Sequence, residues 1–149
     1  MNEYEDYEKQ CKILRKENQV LLDEFSAWLE SKGLKPKTVR KHCDNVSFFI
    51  NDFLLYSEVI RAVDGANHVG MFLSYWFIKK AMWASPESIR SNAASLKKFY
   101  GYLFEKGKIA KDSLDDLKEL IKEDMPDWIA TLERYDDPDI EDMEDVWMF

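Results

Sequence analysis

A chain of 149 residues is long enough for one domain that buries roughly 70% of its unfolded surface, and 46% hydrophobic with 14% aromatic residues excludes the disordered class. No apolar run approaches the ~20 residues of a bilayer span, and the acidic start Met1-Asn2-Glu3-Tyr4-Glu5-Asp6 lacks the basic and apolar stretches of a secretory signal, so a cytoplasmic protein is expected. The formal charge of -8 argues at first sight against a nucleic-acid partner.

Residues 4–16 suggest a mostly polar first helix. A second follows over 19–31, where Leu21, Leu22, Phe25, Trp28 and Leu29 recur at spacings of three and four, with Gly33 as its stop. Pro36 opens the next helix, because its fixed φ and missing N–H suit the first helical position, and Leu34 with Val39 staples the start. Val39, Cys43, Val46, Ile50 and Phe53 then draw the clearest amphipathic stripe in the chain. The opposite side of that helix carries Lys37, Arg40 and Lys41.

After a junction at 59–65, residues 67–82 predict a helix that is apolar over a wide arc through Val69, Phe72, Leu73, Trp76 and Phe77. Such a helix belongs near the middle of a bundle. Ser85-Pro86-Glu87 supplies a cap, a first-turn proline and an early acid. The helix they open buries Ile89, Ala93, Leu96, Phe99, Tyr100 and Leu103 and ends at Gly107. Its other side shows Ser88, Ser91, Asn92, Ser95 and Lys98, flanked by Arg90 and Lys97.

Ser113-Leu114-Asp115-Asp116 resembles a capping box for a helix through Leu117, Leu120 and Ile121, which Pro126 closes. A short helix over 128–135 and an acidic tail with Ile140, Met143, Val146 and Trp147 follow. No strand pattern competes. The expectation is an all-α fold, a compact bundle of four to six helices, with an N-terminal helical extension at 1–17, a core domain at 18–125 and an acidic tail at 126–149.

Cys11 and Cys43 set no disulfide framework, and Cys43 falls on an apolar stripe where a buried free thiol is the ordinary reading. His42 and His68 have no neighbours at metal-ligand spacing. No nucleophile is paired with a base, and there is no Gly-rich phosphate loop or dinucleotide fingerprint. No catalytic residue, metal, cofactor or small-molecule substrate is therefore expected.

Charge is unevenly distributed. Residues 111–149 carry fifteen acids against four bases. Residues 32–43 carry five bases (Lys32, Lys35, Lys37, Arg40, Lys41) and no acid, and 79–108 carry seven bases against two acids. Both basic runs are readable as solvated helix faces or as one cationic surface. On the second reading Lys35, Lys37, Arg40 and Lys41 contact phosphates, while Asn92 pairs with adenine and Arg90 with guanine in a major groove. The row Ser88, Ser91, Asn92, Ser95 is short enough to admit a base edge, and it is equally a surface for a neighbouring helix.

The order of these features resembles a known family. Phe25-Ser26-Ala27-Trp28-Leu29-Glu30-Ser31-Lys32-Gly33-Leu34 precedes Lys35-Pro36-Lys37-Thr38-Val39-Arg40-Lys41-His42, then Phe48, Phe49 and Phe53. Ser85-Pro86-Glu87-Ser88-Ile89-Arg90 and Leu96-Lys97-Lys98-Phe99-Tyr100-Gly101-Tyr102-Leu103 follow, with Gly107-Lys108-Ile109. Over residues 18–121 this is similar to the N-terminal core-binding (SAM-like) domain of tyrosine recombinases, the phage-integrase family.

The resemblance implies half of a clamp on duplex DNA, with the Pro36 and Pro86 helices at the major groove. It carries Thr38, Arg40, Lys41, Arg90, Asn92 and Lys97 forward as contacts, and Lys98 sits beside them on the Pro86 helix. The departures are His42 where tyrosine is frequent in the family, and the missing catalytic domain, with neither His42 nor His68 followed three residues later by Arg. The implied role is non-catalytic DNA binding, with a recombinase as a possible protein partner. The alternative is a protein-interaction module on the same scaffold. The tail at 136–149 is a candidate internal competitor for phosphate on the basic face.

Overall fold

The computed structural model describes residues 2–135. Among these every element is helical, and five helical rods pack around one core. α1 spans Glu3–Ser31, capped by Asn2, whose side chain accepts from the Glu5 N–H at 2.8 Å. The expected break near residue 17 does not exist. No Gly or Pro interrupts the stretch, and the joining residue Asn18 is only 1% exposed, its Nδ2 donating to the Ile50 carbonyl at 3.2 Å and to Asn51 Oδ1 at 2.9 Å.

Residues 3–17 are continuous with the rest of α1. Cys11 and Leu14 pack with Leu55 in a small second cluster, and the Tyr7 hydroxyl donates to the carbonyls of Leu55 and Tyr56. The first half of α1 holds down the segment that follows α2. Gly33 ends α1 at φ +87, while the Leu34 N–H reaches back to the Leu29 carbonyl at 3.3 Å.

α2 (Pro36–Ser47) continues into a wide, π-helical turn at Phe48–Phe53, where the Leu54 N–H bonds the Phe49 carbonyl at 2.9 Å. A second wide turn, Phe72–Trp76, joins α3 (Val69–Met71) to α4 (Phe77–Lys80), and a 3-10 turn at Ala66–His68 leads into them. The helix expected over 67–82 is therefore one rod of changing pitch. The extra residue in each wide turn lets more rings face inward than an α-helical stripe allows. Phe72 sits 5.0 Å from Phe49 and 5.2 Å from Phe53, centroid to centroid, and Phe48 lies 5.3 Å from Trp76.

Gly65 permits this closeness, since a Cβ there would lie 2.6 Å from the Tyr100 hydroxyl and 2.7 Å from Leu54 Cδ1. That hydroxyl is fully buried and donates to the Ala62 carbonyl at 2.7 Å. α5 (Pro86–Glu105) opens as expected on Ser85, which accepts from the Ser88 N–H at 3.0 Å while Ser88 Oγ accepts from the Ser85 N–H at 2.8 Å.

α6 (Lys111–Tyr135) corrects two expectations. It begins before Ser113, which lies inside its first turn, and it runs through Pro126 instead of ending there. Proline within a helix removes one N–H bond and crowds the preceding turn, at a cost of about 3 kcal/mol. Beyond it Trp128 and Leu132 are 3% and 1% exposed and join the core cluster, and burying two such side chains contributes about 3–6 kcal/mol. The helix is thereby held across the proline, and residues 126–135 belong to the bundle. Residues 136–149, with the proposed tail competitor and the apolar residues from Ile140 to Trp147, lie outside the described residues.

Candidate nucleic-acid interface

α2 and α5 pack side by side and antiparallel. Asn45 Nδ2 donates to Ser91 Oγ at 3.1 Å and to Ser95 Oγ at 3.0 Å, and one turn earlier His42 Nδ1 lies 2.7 Å from Ser95 Oγ. The serine row on α5 thus forms the polar seam between the two helices and faces no groove. Ser95 is fully buried.

Asn92 is also turned inward. It is 3% exposed and its Nδ2 donates to the Ser88 carbonyl at 2.8 Å. The expectation that it pairs with adenine is corrected, because its side chain is buried on the inner side of α5 and not on the exposed side that carries Arg90 and Lys97. Asn92 lies on the same flank as Ile89 and Leu96, which are buried. Cys43, expected to be buried, is half-buried, and burial pushes its thiol up.

The cations behave differently. Lys35, Lys37, Thr38, Arg40 and Lys41 on the α2 side and Arg90, Lys97 and Lys98 on α5 are all exposed. No described carboxylate lies within 4.0 Å of any of these basic groups, whereas Arg61 pairs with Glu17 at 2.8 Å elsewhere on the surface. His42 shows where two of them meet. Burial, then the neighbouring Lys98 and Lys41 charges, hold its imidazole below the ordinary 6.5. One lysine from each helix therefore acts on the same ring.

Not every candidate shares that side. Arg40 precedes Cys43 by one turn, and Cys43 is surrounded by Ser26, Asp23 and Glu30 of α1. Arg40 therefore lies on the α1 flank of α2. On α5, Arg90, Ala94, Lys97 and Gly101 follow at spacings of four, three and four, which places them along one outward line. A Cβ at Gly101 would meet nothing within 4 Å. This basic line, with small residues between its charges, follows from the helical spacing alone. Arg90 and Lys98 are separated by eight residues, about 12 Å along the axis.

Among the described residues no helix is long and apolar enough to cross a membrane, and no group of three or more His, Cys, Asp or Glu residues is placed to hold a metal ion. No family model, no curated protein and no solved structure matches the chain.

Proposed function

We propose that this chain binds duplex DNA without cleaving it, using the α2–α5 face, in the manner of the core-binding domain of tyrosine recombinases that its sequence resembles. The observation that carries the reading is the set of exposed cations Lys37, Lys41, Arg90, Lys97 and Lys98 on two helices joined through His42–Ser95 and Asn45–Ser91, with no described carboxylate within 4.0 Å of them. Arg90 lies about 12 Å from Lys98 along α5, close to the ~12 Å width of a B-DNA major groove. α2 adds a helix start at Lys35 with no side-chain cap, so its unpaired N–H groups favour a phosphate. These contacts position a duplex; they do not read its sequence.

Titration of a labelled duplex at several salt concentrations tests the proposal. Five phosphate contacts give a slope of log affinity against log salt of about -4.5. Absence of retention at low salt rejects it.

Proton linkage gives a second check. Unbound, the folded chain holds His42 below its unfolded value, so the unfolded state binds more protons as pH falls below about 6.5, and this group then lowers stability. A phosphate between Lys41 and Lys98 offsets their repulsion and raises the imidazole toward its ordinary value. DNA affinity should therefore rise as pH falls from about 7 to about 5.5, and His42→Gln should remove that component while leaving the salt slope. A wild-type affinity flat across this range rejects the linkage.

A protein-interaction role is the second reading, favoured by exposed apolar side chains at one end of the bundle. Met82 is 99% exposed, Trp83 60% and Tyr56 57%.

A further inference from the structure

At the end of the seam away from Lys41, the C-terminal turn of α2, the wide turn Phe48–Phe53 and the loop before α5 enclose a cavity of about 340 Å³. Asp44 and Asp52 line it together with the rings of Phe48, Phe77 and Trp83. Trp83 stands 5.5 Å from Phe48 and 6.3 Å from Phe77 between ring centroids. Asn92 completes the lining. Its amide nitrogen is engaged by the Ser88 carbonyl, while its Oδ1, on a side chain 3% exposed, has no hydrogen-bond partner among the described residues. A buried acceptor left unpaired is uncommon in a folded chain and marks a place for a donor.

The lining offers two carboxylates, an unpaired carbonyl oxygen and aromatic faces beside the polar side chains of Asn45 and Ser47, and no Lys or Arg takes part in it. Burial raises the Asp52 carboxyl from its ordinary value, and the Arg15 charge opposes that rise. The cavity repels phosphate and accepts a cation with several N–H donors. An adjoining cavity of about 430 Å³ shares Phe48, Asp52 and Trp83, but Arg15 and Lys80 also line it, so it lacks the cation-free lining of the first.

We infer that the first of these cavities is a docking site for an arginine of a partner polypeptide, the guanidinium entering between Trp83, Asp44, Asp52 and Asn92. A planar guanidinium stacks on aromatic faces while its fork donates in plane to a carboxylate and to a carbonyl oxygen. An ammonium, a compact point charge, lacks both features. The inference goes beyond DNA binding and stands if that reading fails, because no cation of the α2–α5 face takes part in it.

The test is an NMR titration of the full chain with acetyl-Gly-Arg-Gly-amide and with its lysine and citrulline counterparts. Citrulline keeps the shape and removes the charge. The expected result is saturable movement of the Trp83 indole N–H and Asn92 side-chain signals by the arginine peptide. Binding should be at least about tenfold weaker for citrulline, and weaker for lysine than for arginine. Asp44→Asn combined with Asp52→Asn should lose about tenfold in affinity with an otherwise unchanged spectrum, since both carboxylates are exposed in the free chain. Equal binding of arginine and citrulline overturns the inference, as does indifference to the double variant. Tighter movement of the same signals by a mononucleotide overturns it too, since the cavity would then take a base.

Discussion

Lys41→Glu together with Lys98→Glu should lower duplex affinity about 100-fold at 0.1 M salt. Each phosphate contact contributes about 0.9 to the salt exponent, so losing two removes roughly 60-fold at that concentration before any repulsion is counted. Repulsion between the new carboxylates and the phosphates supplies the rest. The slope itself should fall from about -4.5 to about -2.7. Both lysines are exposed and unpaired with any described carboxylate, so the fold should lose no more than about 0.5 kcal/mol. The informative control is Lys9→Glu with Lys12→Glu, the same charge change on exposed positions of α1. That pair should cost less than about threefold. Equal losses from the two variants mean that affinity follows net charge alone, and the α2–α5 face then has no special role.

Phe72→Ala should be the most damaging single substitution to stability. Phe72 is fully buried, with Phe49 at 5.0 Å, Phe53 at 5.2 Å, Phe77 at 5.6 Å and Phe48 and Trp76 each at 5.9 Å. It is the ring against which both wide turns close. Truncating a buried Phe costs about 3–5 kcal/mol, and for a chain of this size each kcal/mol lowers Tm by roughly 2–4 °C. A fall of about 10 °C or more in a calorimetric or circular-dichroism melt is the expected outcome. A shift under about 3 °C means that the surrounding rings collapse into the space. The arginine-peptide response should weaken as well, since Phe48 and Phe77 wall that cavity, whereas the α2–α5 seam does not contain Phe72.

Much of the architecture was legible from local chemistry. Pro36 and Ser85-Pro86 place helix starts where the bundle has them, and Gly33 and Gly107 end α1 and α5 with the positive φ that glycine alone adopts without strain. Breaks were less legible. A helix end depends on what lies beyond it, and Pro126 failed to end α6 because Trp128 and Leu132 find a core to enter. The imagined break near residue 17 has the same origin: polar residues in α1 looked like a boundary, and Asn18 is in fact buried on the Phe48–Phe53 segment. The candidate site divides along the same line. Lys41, Lys97, Lys98 and Arg90 are exposed as their spacing against the apolar stripe suggests, while Arg40 and Asn92 fall on faces that only a neighbouring helix or cavity defines.

By itself the sequence determined the all-α class, the helix starts and the cationic runs, because these follow from φ restrictions, capping and the 3.6-residue period within single segments. The tertiary structure decided that His42 and Asn45 of α2 meet Ser91 and Ser95 of α5 and that an acidic, aromatic cavity opens beside this seam. Those outcomes depend on packing between segments about fifty residues apart in the chain, and no local period encodes which two faces will meet.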